Sequence, residues 1–224
     1  MPGEKKVVII DYGMGNLFSV LQACAWVGLN AEVTSEKQAL LAADALILPG
    51  VGAFNEAMLT LKKLDLIEPI RDKVAANTPL LGVCLGQQLL FSESEEFGSA
   101  KGLDFLPGSV KKFPASFNGR RVRIPQIAWN KIHQCNNSWK NTPFEELNDA
   151  EYMYFVHSYY VIPENGSIAH SQTQYEGTTY CSSVLSNNIF ATQFHPEKSA
   201  LKGLTIYKNW ALQNGVYESR KDSF

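Results

Sequence analysis

In the first half of the chain, short apolar runs alternate with segments whose apolar residues recur at helical spacing. Val7–Asp11 is an apolar run ended by glycines, and Leu17–Val27 follows with the spacing of a helix that buries one face. Ala31–Thr34 and Ala45–Leu48 read as further buried strands, the second stopped by Pro49-Gly50. Ala53–Leu64 and Ile67–Ala76 predict helices, and Leu80–Val83 is another short apolar run. Neighbouring parallel strands need long connections, which helices supply, so this alternation predicts an α/β fold with an open, mostly parallel sheet flanked by helices. The pattern changes from about Gly102 to Phe194. There β-rich segments are separated by turn signals at Asn118-Gly119, Glu176-Gly177 and Asn187-Asn188, which predict hairpins and antiparallel additions to the sheet. Leu201–Leu212 restores a helix, and the chain after Gly215 is expected to fray. With no repeat, low-complexity tract or linker, residues 1–215 read as a single domain and 216–224 as a polar tail.

Composition removes several function classes. A chain of 224 residues can bury most of its apolar surface and needs no disulfide staples. A net charge of −2 gives no electrostatic reason to expect nucleic acid or an anionic membrane as partner. The local exception, Arg120-Arg121-Val122-Arg123, reads as an exposed strand face. Cys24, Cys84, Cys135 and Cys181 form no C-x-x-C pair, which argues against a zinc ribbon and a disulfide framework. No two histidines have metal-ligand spacing, so no metal is expected. Gly13-Met14-Gly15-Asn16-Leu17-Phe18 has Phe18 where a dinucleotide fingerprint needs its third glycine, and no P-loop is present, so no cofactor is expected either. The start of the chain lacks a signal-peptide pattern, and no apolar run approaches the roughly 18 residues that span a bilayer. A reducing cytoplasm is the expected compartment.

The chemistry concentrates at Leu81-Gly82-Val83-Cys84-Leu85-Gly86-Gln87-Gln88. An apolar strand runs into Cys84, and an amphipathic helix is expected to start directly after it. Gly82 and Gly86 flank the cysteine at two residues on either side, the pattern of a nucleophile elbow. Such a turn forces the nucleophile into strained backbone geometry, and side chains at the flanking positions would collide with it. A helix N-terminus aims free N–H groups at the sulfur, which favours the thiolate and leaves the Leu85 amide to bind an oxyanion. Most lone cysteines are small core residues. That reading suits Cys24 in its apolar helix, and also Cys135 and Cys181; the paired glycines set Cys84 apart.

A cysteine nucleophile needs a base and a group to orient it. Gln193-Phe194-His195-Pro196-Glu197-Lys198-Ser199 supplies both. Pro196 biases His195 toward an extended backbone, on which His195 and Glu197 project to the same side. Glu197 can then hold one ring nitrogen while the other faces the sulfur. A surface turn would also explain His-Pro-Glu on its own. His133 and His170 read as surface residues. His157, in the aromatic run Tyr154–Tyr160, fits either core packing or site lining. At Pro49-Gly50-Val51-Gly52, the end of a predicted parallel strand, glycines allow backbone amides close to a substrate, so Val51 and Gly52 are candidates for the second oxyanion donor.

Together these motifs identify a resemblance. The chain resembles the class I, triad-type glutamine amidotransferases along nearly its whole length. Their G-V-C-L-G-x-Q elbow, P-G-x-G strand and late F-H-P-E are all present. Within them it is most similar to the glutaminase subunits of imidazole glycerol phosphate synthases, through D-Y-G-M-G-N-L, P-G-V-G-A-F, Y-F-V-H-S-Y-Y and Q-F-H-P-E-K-S. The resemblance implies Cys84 as nucleophile, His195 as general base and acid, and Glu197 as the orienting group. It implies glutamine binding by Gly52, Gln88, Glu96 and the His157-Ser158 backbone. A face toward a cyclase or synthase subunit, forming a heterodimer, would include Asn16, Trp129, Asn130, Tyr154 and Lys198. Where the family carries P-H-M-G-W-N, this chain has Pro125-Gln126-Ile127-Ala128-Trp129-Asn130. The triad is untouched by that departure.

The expected activity is hydrolysis of glutamine to glutamate and ammonia, with ammonia passed to the partner in histidine biosynthesis. A paralogous glutaminase that feeds amidation of a bacterial surface sugar is the alternative. Two other classes share parts of the pattern: a cysteine peptidase or γ-glutamyl hydrolase on the same elbow, and a non-catalytic regulatory subunit.

Overall fold

The computed structural model describes residues 5–135 and 138–217. The first half builds β1 (Val7–Ile10), α1 (Leu17–Trp26), β2 (Ala31–Thr34), α2 (Lys37–Ala42), β3 (Ala45–Gly50), α3 (Phe54–Lys63), α4 (Ile67–Ala75), β4 (Leu80–Cys84) and α5 (Leu85–Leu89). All but α2 and the extent of α5 follow the pattern of the sequence. Six residues in α2 give too few turns for a period to register. β3 does not stop before Pro49-Gly50 but runs through both, with Pro49 opposite Val83 and Gly50 opposite Cys84. The proline is tolerated because pairing of β3 with β1 ends at Ile47, so its missing N–H removes no bond on that side.

The second half adds β5 (Phe91–Ser94), β6 (Ala100–Lys101), β7 (Leu106–Lys112), β8 (Ser116–Phe117), β9 (Arg120–Arg121), β10 (Gln126–Gln134), β11 (Glu151–His157), β12 (Tyr159–Pro163), β13 (Ala169–Tyr175), β14 (Thr178–Ser186), β15 (Ile189–Thr192) and α6 (Ala200–Gln213). Among the described residues the main sheet runs β2-β1-β3-β4-β15-β14-β12-β7-β5-β6, with β13, β10 and β11 branching from β14. From β2 to β15 every neighbouring pair is parallel. The predicted turns all form: Asn118-Gly119 joins β8 to β9, Glu176-Gly177 joins β13 to β14, and Asn187-Asn188 joins β14 to β15. Asn118, Glu176 and Asn187 take positive φ, as tight hairpins demand. Arg120 and Arg121 are exposed on the small β8–β9 pair, as expected.

Apolar layers cover both faces of the parallel sheet. On one, Val7, Ile9, Ala45, Ile47, Leu81 and Val83 meet α1 and α6 through Cys24, Ile206, Tyr207 and Trp210. On the other, Val8, Ile10, Leu46, Leu48 and Leu80 meet Leu40, Phe54, Leu61 and Ile70 of α2, α3 and α4. Complete burial of these strands is what parallel strands with helices on both sides require. The expected polar tail begins differently: Val216 is buried and Tyr217 packs on the core, while 218–224 lie outside the described residues. No helix among the described residues is long and apolar enough to cross a membrane.

Candidate active site

The three central strands β3, β4 and β15 lie side by side, and their C-terminal ends carry Gly50, Cys84 and the segment leading to His195. Register fixes the arrangement, with Gly50 opposite Cys84 on one side and Thr192 opposite Val83 on the other. Open α/β sheets present their ligands at this edge.

Cys84 sits at φ 56° and ψ −111°, the strained turn expected of an elbow. The glycines beside it serve a different contact from the expected one. A Cβ on Gly86 would collide with the Leu48 carbonyl of β3, and one on Gly82 would press on Ala191 and Leu90 at 3.0 and 3.1 Å. They let α5 drop onto the neighbouring strands rather than clear the nucleophile. The helix is also not amphipathic: Leu85, Gly86, Gln87, Gln88 and Leu89 are all buried. Its first residue is Leu85, whose N–H has no carbonyl one turn earlier to meet.

His195 has an extended backbone, as Pro196 predicts, but Pro196–Lys198 then closes into a 3-10 turn. Glu197 therefore reaches His195 from a turn and not along a strand, and the pairing survives: His195 Nδ1 donates to Glu197 Oε1 at 2.7 Å. Both side chains are almost wholly buried. Among the described residues His195 Nε2 has no oxygen or nitrogen partner, and its neighbour on that side is Cys84. Burial alone disfavours a charged ring, but the Cys84 sulfur and the Glu197 carboxylate outweigh it and push His195 up to about 10. The segment is pinned from outside, since the His195 N–H donates to the Tyr154 carbonyl at 2.9 Å. Ser199 Oγ donates to the His195 carbonyl at 2.7 Å and accepts from the Tyr154 N–H at 3.0 Å.

A cavity of about 270 Å³ opens over the sulfur, lined by Val51, Gly52, Cys84, Leu85, Gln88, Glu96, Pro125, Val156, His157, Ser158 and Tyr159. The structure thus gathers every expected oxyanion and substrate residue onto one wall or another of a single space. Gly52 takes φ +105°, open to glycine and costly to other residues. Glu96 brings a carboxylate to the lining, and its Oε2 accepts from the Phe54 N–H at 2.7 Å. His157 is both core and lining: burial holds it down to about 3, so it is neutral, and its Nδ1 donates to the Tyr159 carbonyl at 2.8 Å. Tyr180 OH lies 3.2 Å from His157 Nε2 and 3.0 Å from the Gln126 side chain.

Two residues carry no signal strong enough to single them out in the sequence. Gln193 is fully buried and its Nε2 reaches the Cys84 sulfur at 3.7 Å. Tyr12, also buried, donates to the Pro49 carbonyl at 2.8 Å beneath the glycine strand. The available signal for Gln193 was a polar residue inside the apolar run Ile189–Phe194. His170 corrects an expectation: it is buried against Trp139, Phe144 and Phe190, bonds Thr142 Oγ1 at 3.0 Å, and is held down to about 4 by burial. His133 stays partly exposed beside Asp149. Cys24 is a core residue as expected, whereas Cys135 and Cys181 are only partly buried.

The residues expected on a partner face fall into two kinds. Trp129 and Tyr154, opposite each other on β10 and β11, stack edge to face with centroids 6.0 Å apart, and Trp129 is 50% exposed. Lys198 is exposed as well. Asn16 instead caps α1 by accepting from the Ser19 N–H, and Asn130 donates to the Gln174 carbonyl at 2.9 Å. Among the described residues no cluster of His, Cys, Asp and Glu could hold a metal ion.

Comparison with known proteins gives the fold and the family. Two solved structures share the fold. A putative GMP synthase protein from Thermoplasma acidophilum, with TM-score 0.69 and 19% identity, covers 97% of both chains. PurLQS from Thermotoga maritima gives TM-score 0.71 at 15% identity, covering 94% of this chain and 99% of that one. Sequence relatives are nearer. The imidazole glycerol phosphate synthase subunit HisH of Syntrophotalea carbinolica is 46% identical over 207 residues, covering 91% of this chain and 98% of that protein. The HisH subunit of Chlorobaculum tepidum is 43% identical over 205 residues, covering 92% and 98%. The family model for class-I glutamine amidotransferases matches residues 8–213, and the chain belongs to that family.

Proposed function

We propose that this chain is the glutaminase subunit of an imidazole glycerol phosphate synthase, hydrolysing glutamine and delivering ammonia to a cyclase subunit bound to it as a heterodimer. One observation carries the chemistry: a cysteine on a strained elbow faces a buried His195–Glu197 pair at the mouth of a cavity of amino-acid size. The relatives at 46% and 43% identity, matched nearly end to end, carry the choice of pathway.

The Cys84 sulfur, as thiolate, attacks the side-chain amide carbon of glutamine. The Leu85 N–H and an amide from Val51-Gly52 hold the oxyanion that forms. The protonated His195 gives its proton to the departing nitrogen, and ammonia leaves. Neutral His195 then takes a proton from water, whose oxygen attacks the γ-glutamyl thioester. The carbon–sulfur bond breaks, glutamate is released, and thiolate and imidazolium are restored. Glu197 keeps the ring oriented throughout. Glu96 suits the substrate ammonium, and the His157-Ser158 backbone its carboxylate.

Ammonia serves the acceptor only if bulk water does not protonate it first, which calls for a docked partner. The exposed Trp129, packed on half-buried Tyr154, and the exposed Lys198 support a docking face that includes them. Gln126, the departure from the family pattern, is fully buried and bonded to Tyr180, so it is an internal change and lends no support to the surface-sugar alternative.

The test is Cys84→Ala in the complex. Glutamine-dependent synthesis should fall by at least a thousandfold while ammonia-dependent synthesis at high ammonium survives. Glutamate release within tenfold of wild type would overturn the assignment.

A further inference from the structure

The sulfur of Cys84 has neighbours beyond the triad. Val156 contributes a carbonyl at 3.9 Å, an acceptor that can serve only a thiol. Gln193 approaches at 3.7 Å with its side-chain amide. The two ends of a glutamine amide have nearly the same shape, so its orientation must come from its neighbours. Here they leave no choice. Gln88 Nε2 donates to the Tyr159 carbonyl and to Gln193 Oε1, both at 3.0 Å, which uses both of its hydrogens. Turning Gln88 round would set its oxygen against the Tyr159 carbonyl oxygen. That carbonyl is itself fixed by accepting from His157 Nδ1 at 2.8 Å. With Gln88 fixed, the oxygen of Gln193 must face it, and the N–H of Gln193 must face sulfur. Gln193 is fully buried, follows β15 directly, and donates its own backbone N–H to the Ser182 carbonyl at 2.9 Å.

We propose that Gln193 is a further catalytic residue, donating a hydrogen bond to the Cys84 sulfur that stabilises it as the leaving thiolate when the thioester is hydrolysed. The proposal rests on the glutaminase reading above. In that step water attacks the acyl carbon, its proton passes to His195, the carbon–sulfur bond breaks and the electron pair returns to sulfur. His195 can donate only while it carries the extra proton and is neutral while it waits to take one from water, whereas an amide keeps its hydrogen at every stage. Its bond to sulfur strengthens as negative charge returns there and weakens while sulfur is acylated.

The experiment uses the chain bound to its cyclase, with two variants. Gln193→Met removes the donor. Gln193→Glu keeps an acceptor for Gln88 but turns a carboxylate oxygen toward sulfur. In Gln193→Met, hydrolysis of the thioester slows at least tenfold, so acid-quenched enzyme under steady turnover holds more γ-glutamyl adduct on Cys84 by mass spectrometry. In Gln193→Glu, alkylation of Cys84 by iodoacetamide at neutral pH slows at least tenfold while ammonia-dependent synthesis is kept. Adduct level and alkylation rate both within twofold of wild type would overturn the proposal. Should the variants fail to fold, the unmutated Gln193 side chain decides. Its amide proton resonance shifts on Cys84→Ala if it bonds the sulfur, and an unmoved resonance overturns the idea. Loss of turnover in Cys84→Ala alongside normal Gln193 variants would sink only this inference. Normal turnover in Cys84→Ala would sink the glutaminase reading itself.

Discussion

A cysteine at φ 56° carries a conformational penalty of roughly 1–3 kcal/mol, and the surrounding contacts must hold it there. Gly86 against the Leu48 carbonyl, and the register of Gly50 with Cys84, do so from the β3 side. On the opposite side the imidazole depends on Glu197 for its orientation. His195→Ala should lower kcat by about 10²–10⁴, the usual span for a lost general acid–base. Glu197→Gln, which disturbs orientation without deleting the ring, should lower it by a smaller factor. Steady-state glutamate release with the partner bound checks this, and wild-type rates in Glu197→Gln would remove Glu197 from the triad. Cys84, His195 and Glu197 were legible because their chemistry is written in local spacing. His170 was not, since its burial depends on which face of β13 meets Trp139 and Phe144 of a distant loop. Gln193 is a similar case: its partners Gln88 and Cys84 lie 105 and 109 residues away.

Elements with a clear period were legible, and elements set by packing were not. The strands β1 to β4 and helices α1, α3, α4 and α6 lie within a residue or two of their expected bounds. α5 contradicts its expected pattern because it lies between the parallel sheet and α3, with no face left to solvent. The 3-10 turn at Pro196–Lys198 joins β15 to α6 and depends on tertiary hydrogen bonds that no local pattern encodes. Ser199 makes that join, bridging the His195 carbonyl and the Tyr154 N–H. Ser199→Ala leaves the Tyr154 N–H short of a partner, a cost of about 1–3 kcal/mol, while the His195 carbonyl keeps the Lys198 N–H. The variant should melt earlier and lose glutaminase activity several-fold through kcat, with KM little changed. An unchanged Tm would show that the backbone finds another partner.

For the whole molecule, buried neutral histidines set the response to acid. His157 and His170 are held down to about 3 and 4, well below an ordinary imidazole near 6.5. Below pH 6.5 the unfolded chain binds protons that the native chain refuses, so stability falls as pH drops from 6.5 toward 4. His195 is raised, not lowered, so its stabilisation is fully present in that window and adds no slope there; it is lost only as pH climbs from 6.5 toward about 10. Denaturant unfolding at several pH values should show His170→Asn reducing the acid slope by about one proton, or about 1.4 kcal/mol per pH unit. An unchanged slope would mean that His170 is protonated in the native state.

The position of β15 has a consequence for synthesis. It is the last strand of the described chain, yet it lies in the middle of the sheet between β4 and β14. While the ribosome is still making the second half, the strand that bears Cys84 has one edge unpaired, an apolar ribbon open to any passing polypeptide. The nascent chain should therefore be a strong chaperone client through most of its translation. It should lose that character abruptly when the segment Ile189–Thr192 clears the exit tunnel and seals the gap.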